Sequence, residues 1–511
     1  LDLVTGAVST TNDWESRDQL DSNASRKIYT FDGAVTDKLK VFSWANLSAT
    51  EKAYFSTPAI DGLSQLCASG STCLAAAEKT AASGSNLVDF LRGVRTNEGI
   101  DTDLTKYYRV RTHVLGDIVN AEAVYVKIPL LSYADTGFSS YVSGLTRKGM
   151  VYAAGNDGML HAFDAANGAE DWAYVPNVVM PNMYKLADKN YKALHEFYVD
   201  GTPVTGEVYD TGTSSWKTIV VGGLNNGGRG YYALDVTDPT TPKALWEFTD
   251  TNLGYTYGNP VITKLKDGSG TWVVIFTSGY NNVSPGDGVG RLYVVNAMTG
   301  ALVTSVNGTG IISTGVGSVT TPSGLSKINA WVDAANTDNT TLRVYGGDLL
   351  GNVWRFDIND LYGASGYEAH KLVTLYGDVA GTTPQPITAK PELGEASGEP
   401  VILVGTGRFL GATDLADTSQ QTFYAIRDKL DANTFLNPKN TSSGFVKQEM
   451  SETSCPAGTP SSVCTSGQTV RISINEQAVD FTSDNGWYLD LIGSGERANT
   501  DPTLALGTLG F

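Results

Sequence analysis

One short pattern recurs along the chain and limits what it can fold into. Each copy has a glycine or polar turn, a β-branched and aromatic strand, and then an aspartate or asparagine before the next turn; the first copy is VYAAGNDGMLHAFDAANGAEDWAYVP at 151–176. The residues that end the strands are Asp164, Asp235, Asn296, Asp357 and Asp428, at spacings of 71, 61, 61 and 71 residues. Self-similarity at such a period, with several strands inside each repeat, is typical of a β-propeller.

Further strand candidates lie between the copies, at 216–223, 271–279, 342–348 and 400–411, and their nearly continuous apolar character indicates burial on both faces. The many glycines and tyrosines suit short strands joined by tight turns. We therefore predict an all-β chain. The aspartates and asparagine of the repeat are expected to cap backbone N–H groups in turns, which is a structural role.

The first 110 residues differ from the rest, because helix-prone stretches such as 63–82 and 86–99 replace the strand pattern. We predict a partly helical N-terminal segment at 1–110 that packs on or leads into a propeller at 111–511. A polar stretch at about 431–482 is interpreted as an insertion into that propeller.

Four cysteines form two close pairs around loops rich in glycine, serine and proline: Cys67 with Cys73, and Cys455 with Cys464. Neither spacing fits a zinc or redox motif. The sequence predicts two local disulfides formed in an oxidising compartment, and the alternative is four unpaired thiols.

Charge and hydropathy restrict the partners. The formal charge is −18 and the pI near 4.6, which disfavours binding to nucleic acid or to an anionic membrane. No apolar run approaches the roughly 18 residues that a membrane-spanning helix needs. Residue 1 is Leu rather than Met, so we expect the chain to be a piece of a longer protein.

Signals for catalysis are weak. The chain has no G-x-S-x-G nucleophile motif and no phosphate-binding loop ending in Lys-Ser/Thr. Its four histidines are not paired at i, i+4 spacing, and His161, on the strand MLHAFD, is predicted to be packed and hydrogen-bonded. We predict no catalytic residues and no enzyme activity.

Calcium is the one cofactor that the sequence suggests. A hard cation needs six to eight oxygen ligands presented at alternating positions of a loop. The stretch WVDAANTDNTTLRVYGGD comes nearest, with Asp333, Asn336, Asp338 and Thr340 as the candidate ligands. The spacing is imperfect, because Ala334 and Leu342 stand where further carboxylates would be expected.

Several strings together resemble the C-terminal propeller of the PilY-type proteins, also called PilC in some bacteria, which are type IV pilus biogenesis factors and tip adhesins. They include LGDIVNAEAVYV, GNDGMLHAFDAANG, HEFYVDGTPVTGEVY, GLNNGGRGYYALDVTDP, VYGGDLLGNVWRFDI and VGTGRFLGATD. The resemblance covers about 92–428 and implies a modified seven-bladed β-propeller with loop insertions. It also implies a preceding N-terminal region, often of von Willebrand A type.

The resemblance further implies a function at the bacterial surface, on the pilus tip or outer membrane, after export through the periplasm. Members promote pilus extension against retraction and mediate adhesion, so pilins and a host or abiotic surface are the expected partners, and twitching motility and virulence the expected processes. Some members bind calcium on a loop that corresponds to 334–342 here. Asn336, Asp338 and the backbone of Thr340 match that loop, and Asp333 is one position out of register.

Two other functions remain open. The stretch GRGYYALDVTDPTTPKALWEF also resembles the repeat of quinoprotein dehydrogenases, although the adjacent cysteine pair common in those enzymes is absent. A surface lectin without a pilus role is the other alternative, with aromatic loop residues as its binding groups.

Overall fold

The computed structural model describes residues 12–362, 366–460, 463–475 and 477–511. The first eleven residues of the predicted N-terminal segment, and 461, 462 and 476 of the predicted insertion, therefore lie outside the described residues. Strands dominate the described part of the chain, so the predicted all-β class is confirmed.

In the described part of the chain helices are few and short, and four of the five α-helices found there lie before residue 92. They are α1 (Ser16–Asp21), α2 (Ala49–Ala53), α3 (Ala76–Ala81), α4 (Ser85–Leu91) and α5 (Phe138–Gly144), with 3-10 turns at Ala59–Gly62, Ser64–Leu66, Met180–Ala187, Tyr191–Ala193 and Ala412–Ala416. A capping box starts α2, since the Ser48 side chain accepts from Glu51 N and the Glu51 side chain accepts from Ser48 N. These elements match the predicted helical character of the N-terminal segment.

The chain forms two compact units. The first comprises Leu1–Ile262, Asn296–Ala301 and Asn336–Asp338, and the second comprises Thr263–Val295, Leu302–Ala335 and Asn339–Phe511. The predicted division at residue 110 stays a prediction.

Within its described residues, the first unit has two sheets. One has the order β2-β1-β6-β5-β4-β3 and the other β10-β9-β8-β7. Their strands are β1 (Ile28–Phe31), β2 (Leu39–Val41), β3 (Val124–Val126), β4 (Met150–Gly155), β5 (Met159–Asp164), β6 (Glu170–Val175), β7 (Val204–Asp210), β8 (Ser215–Gly222), β9 (Tyr231–Asp235) and β10 (Lys243–Phe248). Because β1 pairs in parallel with β6, the N-terminal residues extend the first sheet.

The remaining strands lie mainly in the second unit. The sheet orders are β14-β13-β12-β11-β16-β17-β18, with β15 paired to β16, then β19-β20-β21-β24-β22-β23, and β25-β26. Their bounds are β11 (Val261–Lys264), β12 (Trp272–Thr277), β13 (Arg291–Asn296), β14 (Ile311–Ser313), β15 (Ile328–Ala334), β16 (Asp338–Gly347), β17 (Asn352–Phe356), β18 (Ala369–Thr374), β19 (Glu392–Ala396), β20 (Glu399–Gly405), β21 (Thr422–Arg427), β22 (Phe445–Ser454), β23 (Thr469–Asn475), β24 (Gly486–Asp490), β25 (Thr503–Ala505) and β26 (Thr508–Gly510).

The four predicted buried strands correspond to β8, β12, β16 and β20. All six residues of β12 are buried, as are the last six of the seven residues in β20. Two-sided burial explains why these strands read as continuous apolar runs rather than as an alternation.

The repeated aspartates and asparagine act as predicted. Each ends or directly follows the third strand of a four-stranded group, and its side-chain Oδ1 accepts the backbone N–H two residues later, at 2.9 to 3.1 Å. The five residues are Asp164, Asp235, Asn296, Asp357 and Asp428. A short side-chain acceptor two residues before a free N–H closes a turn locally, so this function needs no long-range contact.

Tryptophans link successive turns within the first unit. The indole N–H of Trp14, Trp172 and Trp246 donates to the carbonyls of Ala165, Pro239 and Ala297 at 3.2, 2.7 and 2.9 Å. Each acceptor lies one to four residues after a repeat aspartate or asparagine. Each of these turns therefore reverses the chain and also accepts a hydrogen bond from a tryptophan.

Candidate functional site

A network of four charged side chains lies in the interior of the first unit, built around the opening repeat. Arg26 Nε and Nη2 lie 2.7 and 2.8 Å from the two carboxylate oxygens of Glu170. His161 Nδ1 is 2.8 Å from Glu170 Oε1, and His161 Nε2 is 3.1 Å from Asp157 Oδ1. The Arg26, His161 and Glu170 side chains are at most 3% exposed.

Strand pairing explains how these residues meet. His161 lies on β5 and Glu170 begins β6, which pairs with β5, while Asp157 lies in the turn between β4 and β5. Arg26 comes just before β1, whose parallel pairing with β6 brings it to Glu170 from 144 residues away. Met159 Sδ also contacts Arg26 Nη2, at 3.4 Å.

The network balances two positive against two negative groups. Burial opposes the charge on His161, but Asp157 and Glu170 outweigh it and raise the pKa of the imidazole to about 9. Burial likewise opposes the Glu170 charge, yet Arg26 and His161 lower the pKa of this carboxyl to about 2. The Asp157 pKa is also lowered, against burial, by His161 and Arg26.

The raised pKa of His161 determines whether this residue can act as a general base. A general base must be unprotonated near the working pH, whereas His161 is held as a buried cation with both ring nitrogens bound to carboxylates. The prediction of a packed, hydrogen-bonded histidine is confirmed for His161. The residues that surround it, Arg26 and Glu170, were missed, and no local pattern in the sequence marks them.

A cleft of about 410 Å³ adjoins the network and is lined by Arg109, Arg111, His113, Asp117, Asp157 and Tyr191, among others. Four of these titratable groups are paired with groups outside the lining: Arg111 with Glu98, His113 with Asp21, Asp117 with His195, and Asp157 with His161. No serine or cysteine is among the described residues that line the cleft.

Arg109 stands out in this cleft. Its Nε donates to Leu186 O at 2.6 Å and its guanidinium lies 4.5 Å from the centre of the Tyr191 ring. Within the described residues it has no carboxylate within 4.0 Å, and burial lowers its pKa. Among the described residues of the cleft, Arg109 is thus a cation without an ion-pair partner.

The candidate calcium ligands lie on and beside the β15–β16 turn. Asp333 is exposed near the end of β15, and its Oδ1 accepts the Trp331 indole N–H at 2.7 Å. Asn336 is in the turn, where its carbonyl accepts from Ser132 N at 2.8 Å. Asp338 and Thr340 belong to β16.

This turn is poor in carboxylates. No group of three or more His, Cys, Asp or Glu side chains suited to a metal ion occurs in the part of the chain that the structure describes. Arg343 lies with its guanidinium 4.6 Å from the Trp331 ring, so a positive charge is close to the tryptophan that holds Asp333. The calcium site stays a prediction.

Both predicted disulfides are confirmed. Cys67–Cys73 and Cys455–Cys464 are bonded, with Cα atoms 5.3 and 6.1 Å apart. The second bond closes the loop between β22 and β23, a hairpin that interrupts the chain between the paired strands β21 and β24. Among the described residues, no helix combines the length and the apolar character needed to cross a bilayer.

The fold and the site define a class: an all-β repeat protein with a network of buried, paired charges among its strands. Comparison with known proteins agrees with this class. The family model of the PilY1 beta-propeller domain matches residues 115–455. The chain belongs to this family, and the predicted propeller fold and family resemblance are confirmed.

Two relatives and one solved structure show the extent of the likeness. A type IV pilus biogenesis factor PilY1 homolog of Xylella fastidiosa (strain Temecula1) is 35% identical over 70% of this chain. The type IV pilus biogenesis factor PilY1 of Pseudomonas aeruginosa (strain PAK) is 31% identical over 94% of it. The crystal structure of the Pseudomonas aeruginosa PilY1 C-terminal domain matches with a TM-score of 0.56 and 26% identity, covering 74% of this chain and 80% of that one. The matches span only 28% and 42% of the two relatives' lengths.

Proposed function

We propose that the chain is a non-enzymatic surface protein of the type IV pilus system, which promotes pilus assembly and extension against retraction and mediates adhesion at the pilus tip. The family match across 115–455 carries this proposal. Relatives over this region are named as pilus biogenesis factors rather than as enzymes.

The chemistry of the chain supports a location outside the cytoplasm. Both disulfides close short loops, and such bonds persist in oxidising compartments such as the periplasm and the cell surface. The formal charge of −18 disfavours nucleic acid as a partner. We propose pilins at the pilus tip as the partners within the machine, and a host or abiotic surface as the target of adhesion.

We propose that the chain is not an enzyme because of the side chains at the candidate site. Both ring nitrogens of His161 contact carboxylates, and the described lining of the adjoining cleft has no serine or cysteine. Reduction of a dye by the purified chain with added quinone would instead support the dehydrogenase alternative.

Gene deletion tests the pilus function. We expect few surface pili and no twitching in the deletion strain, and restored pili when the retraction motor is deleted as well, because opposition to retraction is then no longer needed. Normal piliation, twitching and adhesion in the single deletion would refute the proposal.

Adhesion is tested separately on the hairpin of β22 and β23, which exposes apolar side chains. Ile472 and Ile474 are 46% and 57% exposed on β23. We expect the double variant Ile472→Asn, Ile474→Asn to reduce adhesion per pilus while the pilus number stays normal. Leu506→Asn is the matched control, since Leu506 is an exposed apolar residue outside this hairpin. Equal adhesion of both variants and the wild type would exclude the hairpin as the adhesive surface.

A further inference from the structure

A second cavity of the first unit has a chemistry that the pilus function does not use. It has a volume of about 280 Å³ and lies between the end of β6 and the strands β9 and β10. Most of its walls are apolar or aromatic. They include Phe31, Val178, Leu224, Tyr231, Tyr232 and Phe248.

Among the described residues that line this pocket, Glu247 is the one carboxylate. Its Oε1 accepts two hydrogen bonds, from the Tyr174 hydroxyl at 2.6 Å and from Asn177 N at 2.8 Å. Among the described residues, Glu247 makes no ion pair and its second oxygen accepts no hydrogen bond. Burial raises the pKa of this carboxyl, since no neighbouring cation compensates for the lost hydration.

The local structure does not require this charge. A glutamine amide oxygen could accept the same two hydrogen bonds, because both donors bind one oxygen atom. A half-buried, uncompensated carboxylate is costly when an uncharged residue of the same shape would serve. The described residues therefore provide no counter-ion for this charge.

The walls indicate which cation fits. Calcium and magnesium take six or more oxygen ligands, and a pocket with one carboxylate and mostly apolar walls does not supply them. A volume of 280 Å³ is about nine times the space of one water molecule in the liquid, enough for an alkyl chain. Aromatic rings attract organic cations, and the negative charge of the whole chain draws cations towards it.

We propose that this pocket binds a primary alkylammonium group, with the ammonium on Glu247 and the alkyl chain against the aromatic and aliphatic walls. The same chemistry is carried by a lysine side chain of a protein and by a free diamine. This binding goes beyond the proposed pilus function and does not depend on it.

Calorimetric titration of the whole chain tests the proposal with defined probes. They are Nα-acetyl-lysine methylamide, cadaverine and the uncharged Nα-acetyl-norleucine methylamide. We expect the two amines to bind and the norleucine compound to bind at least tenfold more weakly. Tighter binding of the lysine compound than of cadaverine identifies a protein side chain as the ligand, and the reverse order identifies a free amine.

Two variants test the pocket separately for its charge and for its volume. Glu247→Gln removes the charge but can keep both hydrogen bonds, and Val178→Phe fills the pocket but leaves the carboxylate. We expect each to weaken amine binding at least tenfold. Glu122→Gln is the control, since Glu122 is exposed and lies outside the pocket, so the same loss of charge should leave binding unchanged.

The proposal is overturned if the wild-type chain binds neither amine at millimolar concentration, or if the norleucine compound binds as tightly as the lysine compound. Unchanged affinity in Glu247→Gln also overturns it. If that variant does not fold, Val178→Phe decides, and unchanged affinity there has the same consequence.

Discussion

Replacing Glu170 by glutamine tests whether the buried charge network stabilises the first unit. The substitution preserves the shape of the side chain but leaves Arg26 and His161 facing Asp157 as the one remaining carboxylate of the network. Folding lowers the pKa of Glu170 from an ordinary 4.5 to about 2, a difference of roughly 2.5 units or about 3 kcal/mol. Breaking a buried ion pair by removing one partner costs about 3 to 5 kcal/mol, so we expect a loss of that size.

The assay is urea unfolding of the wild type, Glu170→Gln and Glu122→Gln, followed by circular dichroism. Hydrogen exchange of peptides from β5 and β6 would localise the change, because we expect their protection to fall most in Glu170→Gln. The surface control Glu122→Gln should change stability by less than ~0.5 kcal/mol. A loss below about 1 kcal/mol in Glu170→Gln, or an equal loss in the control, would show that the network does not stabilise the first unit.

Four further outcomes can be measured on the same protein. The pKa of His161 is about 9 in the folded protein against an ordinary 6.5, so its contribution to stability is fully present below pH 6.5 and is lost as the pH rises through 9. The urea midpoint of unfolding should therefore fall between pH 6.5 and 9 in the wild type and not in His161→Gln. Gly300→Ala should destabilise by more than about 1 kcal/mol in urea unfolding, because Gly300 has φ +69° and an added Cβ would lie 2.5 Å from the Trp246 ring. Glu247→Gln should leave stability at neutral pH unchanged or raised, the opposite sign to Glu170→Gln, because burial raises the Glu247 pKa and the charged form therefore opposes folding. If the loop at Asp333 binds calcium, a concentration 100-fold above the Kd should add about 2.7 kcal/mol relative to chelator in a thermal melt, and no shift at millimolar calcium would remove the site.

What could be predicted from the sequence was local. The hydrogen bond to the N–H two residues later lies within one turn, so the repeat revealed this capping role for Asp164 and its four counterparts. It did not reveal the buried contacts of Asp428 with Tyr345 and Arg355, which join residues 83 and 73 positions apart. The disulfides were predictable for the same reason, because their cysteines are 6 and 9 residues apart. The calcium loop was predicted from a local pattern and from a family resemblance, and no contact among the described residues tests this prediction.

The charged groups of the network and of the Glu247 pocket could not be predicted, because their surroundings come from distant parts of the chain. Glu170 meets Arg26 across 144 residues, and Glu247 meets Tyr174 across 73. In the sequence, Glu247 stands in KALWEF as an ordinary polar residue of an edge strand. Only the packing of β10 beside the end of β6 shows that it is half-buried with no counter-ion among the described residues.

Charge balance therefore separates structural groups from binding groups in the first unit. The Arg26 network is neutral within itself, so each member is needed by the others and its loss should appear as lost stability. Glu247 is unmatched, so its charge contributes nothing favourable to folding and its loss should appear in ligand binding instead. Arg109, in the larger cleft, is likewise a charged side chain with no ion-pair partner among the described residues. A substitution that lowers stability and leaves binding unchanged identifies a structural group, as we expect for Glu170→Gln. A substitution that weakens binding without lowering stability identifies a binding group, as we expect for Glu247→Gln.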